Sequence, residues 1–212
     1  MRVLAVSDQI VDMLYQPKVR ERLGKIDLIL GCGDLPYYYL EFLQSMLDAP
    51  LCYVHGNHDP LVEYSTDRGT KTAPEGGQNI DMRCVCESGL LVAGLEGCIH
   101  YRPNGNHQYT QDEMWFRSLA LVPGLMFNRL TRGRWLDVLI AHSPPLGIHN
   151  GPDQPHTGFH VFLDLMRIFK PRYLLHGHQH RNYGPGPYES QYGLTTVINV
   201  HPYRVLDIEV NR

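Results

Sequence analysis

Eight short apolar runs recur along this 212-residue chain: "RVLAV" at residues 2–6, "IDLILGCGD" at 26–34, "PLCYVHG" at 50–56, "GLLVAGLEG" at 89–97, "WLDVLIAH" at 135–142, "PRYLLHGH" at 171–178, "TTVINVHPY" at 195–203 and "YRVLDIEV" at 203–210. Most are apolar throughout instead of alternating with polar residues. Such strands bury both faces, so a sheet built from them needs a covering layer on either side. Helical candidates fall between the runs at residues 35–47, 112–121 and 159–169, the last ending ahead of Pro171. Strands alternating with helices predict a layered α/β domain. With no internal repeat and no linker, residues 1–212 read as one domain, long enough to bury a substantial core.

Composition narrows the setting. Hydrophobic residues make up 43% and charged residues 19%, the formal net charge is -3, and there is no Lys/Arg block. A dedicated nucleic-acid-binding surface is therefore not expected. Five cysteines, odd in number and without paired spacing, suit reduced thiols in a cytosol. The apolar stretch from Val3 to Val6 is too short for a signal-peptide core, and no run is long enough to span a bilayer. The expectation is a cytoplasmic protein without membrane contact.

Two regions are less regular, residues 60–82 and 100–135, and read as insertions on the strand framework. Residues 142–158 ("HSPPLGIHNGPDQPHTG") are rich in Pro and Gly and long for a plain connector, which marks a functional loop.

The ionisable residues fall in a pattern. The first run leads into Asp8, the second ends at Asp34, the third runs into "HGNHD", a later one ends at His142, and another carries His176, His178 and His180. In α/β sheets, ligands gather outside the carboxyl ends of the strands, so residues far apart in sequence converge in one crevice. Taken singly, each motif is weak: a lone buried histidine is more often a satisfied core residue, "GNHD" is compatible with a polar turn, and "GHQH" with a surface loop. Their ordered recurrence at strand ends, with glycines that allow tight turns, carries the functional reading.

Asp8-Gln9-Ile10, Gly33-Asp34, Gly56-Asn57-His58-Asp59, His142 and Gly177-His178-Gln179-His180 together make the chain resemble the calcineurin-like metallophosphoesterases. In that family the motifs run D-x-H, G-D, G-N-H-[DE], a lone His and G-H-x-H, and four of the five match here. The resemblance implies a four-layer α-β-β-α sandwich of two mixed sheets. It also implies hydrolysis of phosphodiesters or phosphomonoesters, diesters favoured, by attack of a metal-activated water. An anionic phosphoester repels an anionic nucleophile, and cations held close to it relieve that repulsion.

By the same resemblance, two divalent transition metal ions (Mn, Fe, Zn or Co) bind, with Asp34 bridging them. Asn57, His142 and His178 would complete one site, while Asp8 and His180 would belong to the other. His58 would stand beside the leaving group and assist its departure. Asp59 would either orient neighbouring groups or cap the turn before Pro60.

Ile10 departs from the pattern, because D-x-H calls for a histidine there. Residues two apart on a strand share a face, so Ile10 is expected on the side where the ligand would be; Gln9 or Asp12 is an alternative filler through a turn, with water the simpler one. The Asp8/His180 metal is then the weaker of the two, and Ile10→His is expected to tighten it.

The substrate is expected to be a small-molecule phosphoester. Arg102 and His107 in "HYRPNGNHQYT" are candidate contacts to the phosphate or leaving group, a guanidinium fork being suited to phosphate. Tyr37, Tyr38 and Tyr39 read as crevice lining or as packing, and His149 and His156 as outer contacts. Ile10 also admits an alternative, a catalytically weakened or inactive scaffold or binding protein on the same fold.

Overall fold

Each apolar run becomes a strand whose two faces enter different apolar layers. The computed structural model describes residues 1–65, 69–180 and 188–210. In chain order the elements begin with β1 (Arg2–Val6), α1 (Val19–Leu23), β2 (Leu28–Cys32), α2 (Tyr37–Leu47), β3 (Leu51–Val54), β4 (Glu63–Ser65), β5 (Gly69–Lys71), β6 (Gln78–Asn79) and β7 (Cys84–Glu87). There follow β8 (Leu90–Leu95), β9 (Cys98–Ile99), β10 (Gln108–Tyr109), α3 (Gln111–Leu119), α4 (Val122–Arg132) and β11 (Val138–Ala141). The last are α5 (His160–Phe169), β12 (Tyr173–His176), β13 (Glu189–Tyr192), β14 (Thr195–Asn199) and β15 (Tyr203–Asp207).

Two sheets dominate, one ordered β15-β1-β2-β3-β6 and the other β13-β14-β12-β11-β8-β7. Inner strands of both run parallel, whereas β15, β13 and β7 are antiparallel to their neighbours. Leu28, Leu30, Val54, Val138, Ile140 and Leu175 fill the space between the sheets. Outside the first sheet, Leu4, Val6 and Ile29 pack on Val19 of α1 and on Leu40 and Leu43 of α2. Outside the second, Leu139 and Leu174 pack on Met114 of α3, Leu125 of α4 and Phe162 of α5. Three apolar interlayers separate four layers, which makes the fold an α-β-β-α sandwich of two mixed sheets. Among the described residues, no helix is long and apolar enough to cross a membrane.

Residues 100–135 are more regular than their composition suggested, because α4 follows α3 directly. Pro123 lies in the first turn of α4, where a missing N–H is tolerated. Gly124 lets the helix settle on β7, since a Cβ there would come within 2.8 Å of the Cys84 Cβ.

Candidate metal centre

The parallel inner strands of both sheets deliver their following turns to a common edge. Three candidate ligands sit in those turns with left-handed backbones, Asp8 at φ 64, Asp34 at φ 57 and His178 at φ 65. Such conformations are uncommon outside glycine and cluster where a site is held by its surroundings. Close approach is part of the design: a Cβ on Gly56 would collide with the Asp34 carboxylate, and one on Gly177 with Ser7 and Asp8.

Four donor atoms converge at the buried end of this crevice. His142 Nε2 lies 3.0 Å from Asn57 Oδ1, 3.3 Å from Asp34 Oδ2 and 3.0 Å from His178 Nδ1. The other ring nitrogens face backbone carbonyls, His142 Nδ1 at 2.9 Å from the Cys32 oxygen and His178 Nε2 at 2.8 Å from that of Pro155. Carbonyl oxygens only accept, so those nitrogens carry protons, and the inward nitrogens are the ones left to hold a cation or share a proton. Asn57 Nδ2 donates to the Tyr101 hydroxyl at 3.3 Å, which turns its amide oxygen inward as well.

A carboxylate, an amide oxygen and two imidazoles whose inward nitrogens face one another fit a divalent transition metal. The ligand atoms of Asp34, His142 and His178 all lie within 4.8 Å of one another. The electrostatics agree. Burial opposes charge on His142, yet Asp34 raises its pKa to about 9, while burial and His142 push His178 down to about 3. Asp34 is held well below the usual carboxylate range because His142 and the His58 backbone outweigh its burial. This is a pocket that favours a cation among its donors.

Asp8 and His180 form a second, more open half. The Asp8 side chain is 1% exposed, accepts from the His178 backbone N–H at 3.0 Å, and lies 3.5 Å from His180 Nε2. Burial alone would raise its pKa, but His180 and His142 lower it. The hydrogen bond to Asp8 raises the His180 pKa, although that ring is 42% exposed.

Ile10 corrects an expectation. Strand β1 stops at Val6, and the chain then turns at Asp8, with the Gln9 N–H donating to the Ser7 oxygen at 2.7 Å. The two-residue alternation fails there, and Ile10 packs against the apolar cluster beneath α2 that contains Leu14 and Tyr39.

His58 is exposed at the rim, and its backbone N–H donates to Asp34 Oδ1 at 2.8 Å. Asp59 is buried, and its Oδ2 accepts from the N–H groups of Gly56 at 2.7 Å and Asp34 at 2.9 Å. It is thus a turn cap that also fixes a candidate ligand's backbone. Of the three tyrosines, Tyr38 lines a hollow with Asp34 and His58, whereas Tyr37 and Tyr39 are buried.

Arg102 is exposed, with its guanidinium 5.6 Å from the Tyr101 ring. His107 is placed elsewhere, its Nδ1 3.0 Å from Glu96 and its ring stacked on His55 at 4.7 Å. Glu96 also receives His55 at 3.1 Å and the Tyr109 hydroxyl at 2.5 Å, and Arg117 links it to Asp81. Sequence reasoning missed Glu96, although it directly follows β8 in the manner that singled out the other candidates.

A hollow of about 780 Å³ opens beside His180, lined among others by His149, Asn150, His156, Tyr188 and Tyr192. A larger one, about 980 Å³, is lined by Met1, Lys25, Asp48 and Arg134 and contains none of the candidate ligands. Volume alone therefore does not mark the chemistry.

The profile of calcineurin-like phosphoesterases matches residues 1–182, and the chain belongs to that family. One crystal structure aligns at a TM-score of 0.66 with 18% identity, over 97% of this chain and 94% of the other. TT1561 of Thermus thermophilus aligns at 0.60 with 19% identity, over 94% and 88% of the two chains. The phosphopantetheinyl hydrolase PptH from Mycobacterium tuberculosis aligns at 0.54 with 15% identity, over 93% and 88%. At these identities the likeness establishes the fold. No curated protein matches the chain in sequence.

Proposed function

We propose that this chain is a metal-dependent phosphoesterase acting on a small-molecule phosphoester, with a lean towards diesters. The observation that carries the reading is the convergence of Asp34, Asn57, His142 and His178 on one buried point. In this reading Asp34 is shared between two cation sites, Asn57, His142 and His178 serve one, and Asp8 and His180 serve the other. Divalent cations bound there would supply positive charge to the phosphate oxygens and acidify a water.

The chain's own residues do the rest. His142 and His178 are held in the required tautomers by the Cys32 and Pro155 carbonyls, and such hydrogen bonds also raise ligand basicity. His58, exposed beside Asp34, is suited to protonate the departing oxygen. The hollow next to His180 has room for the organic group, and the exposed Arg102 guanidinium is suited to a phosphate oxygen. His107 acts indirectly in this reading, through Glu96 and His55.

The two cation sites are unequal, because among the described residues the exposed His180 half has fewer converging donors than the buried His142 half. A scaffold or binding role on the same fold is the second reading, and the isoleucine in place of the motif histidine favours it. A nitrophenyl diester and monoester assayed with Mn(II), against His58→Ala and Asp34→Ala controls, separates the two. Turnover of the wild type above both controls supports the enzyme; turnover of neither substrate supports the scaffold.

A further inference from the structure

The Asp8/His180 half lacks the imidazole that residue 10 would ordinarily contribute. Resting on the metal-dependent reading above, we infer that His201 supplies it, as a ligand reaching that half from the opposite end of the sequence.

His201 follows β14, which pairs in parallel with β12 so that His176 lies opposite Asn199. The turns after these two strands, carrying His178, His180 and His201, therefore leave the second sheet at the same edge. The His201 ring lies 4.6 Å from that of His180 with only 13° between their planes, and the residue is 5% exposed.

Two tethers hold it there. The Asn199 side chain accepts the His201 N–H at 3.0 Å and donates to the Gln179 oxygen at 2.7 Å, fastening the His180 turn and His201 together. On the other side, the oxygen of Pro202 accepts the Ser7 N–H at 3.1 Å, one residue from Asp8. The segment carrying His201 is thus fixed to both members of the more open half.

An imidazole at this position can act as a stacked ring, as a ligand, or as both. Replacement by phenylalanine separates the two roles, since it keeps a stacked ring and removes both donors.

The test is Mn(II) titration of the whole chain, read by metal content after equilibration and by the spin coupling of a manganese pair in electron paramagnetic resonance. Wild type is expected to take up two ions with unequal affinity. His201→Phe is expected to weaken the second by at least about 10-fold, the scale set by lost ligand support, while the first is unchanged. Should His201→Phe fail to fold, as judged by its circular dichroism, His201→Leu removes both ring nitrogens with a smaller apolar side chain and is read the same way. A second ion bound by the variant as tightly as by wild type overturns the ligand role and leaves stacking alone. Uptake of one ion only by wild type also overturns it, whereas uptake of none overturns the metal-dependent reading as well.

Discussion

The backbone N–H of Asp34 donates to Asp59 at 2.9 Å, through the same carboxylate oxygen that accepts from Gly56. One acid therefore ties the turn after β2 to the turn after β3, and with them Asp34 to Asn57 and His58. Removing it with Asp59→Ala leaves buried N–H groups without partners, at a cost of about 1–3 kcal/mol each. Urea unfolding should show that loss, and Mn(II) affinity should fall by about 10–100-fold. Asp59→Asn keeps an acceptor and should lose less of both.

In the metal-dependent reading, the convergence of donor atoms at His142 makes the folded chain the form that binds cations. Saturating Mn(II) should therefore raise the melting temperature, by the equivalent of about 2.7 kcal/mol at a concentration one hundred times the dissociation constant. A chelator should reverse the rise, and Asp34→Ala should abolish it. An equal rise in that variant would mean that the cation binds elsewhere.

Glu96 gives stability a defined pH window. Burial alone would raise its pKa, but hydrogen bonds from His107, His55 and Tyr109 hold it well below the usual carboxylate range. With the folded pKa below the unfolded one, its contribution is complete above the unfolded value of 4.5 and is lost as pH falls towards the folded one. His55 runs the other way. Burial would lower its pKa, yet Glu96 raises it above 6.5, so its contribution is complete below that value and is lost as pH rises through the folded pKa. The pair should be strongest between about 4.5 and 6.5. Unfolding midpoints measured across that range should show a maximum that flattens in Glu96→Gln.

Ile10→His follows from the packing of Ile10 under α2. The new imidazole would enter the apolar cluster around Leu14 and Tyr39 and not the crevice. The variant should lose about 1–3 kcal/mol of stability from burying a polar ring, and its affinity for a second Mn(II) should stay at the wild-type value. A tighter second ion would show that the turn at Asp8 can rearrange to bring residue 10 inward.

The crevice was legible in the sequence because its parts recur in order, each after an apolar run, and parallel strands carry such ends to one edge. Asp34, Asn57, His142 and His178 meet as that logic requires. Ile10 was misplaced because strand alternation was carried past Val6, and one left-handed residue, Asp8, is enough to break it. Glu96 and His201 were overlooked for a different reason: each is a single residue outside any motif, and only the pairing of distant strands gives it neighbours. Helix α4 was not among the helical candidates, because what lets a Pro-Gly pair sit in its first turn is the packing of Gly124 on Cys84 of β7, which the sequence does not show.

Strand β15 lies beside β1 with Arg2 opposite Asp207, so the first and last strands among the described residues are sheet partners. During synthesis β1 must wait with one edge unpaired until β15 has emerged, about two hundred residues later, and an unpaired edge invites wrong partners. The crossing that closes this edge is the segment that carries His201 and reaches Ser7 through Pro202. If His201 is a ligand, closure of the sheet and completion of the crevice are one late event, and a nascent chain short of β15 has both an open sheet edge and an incomplete cation site.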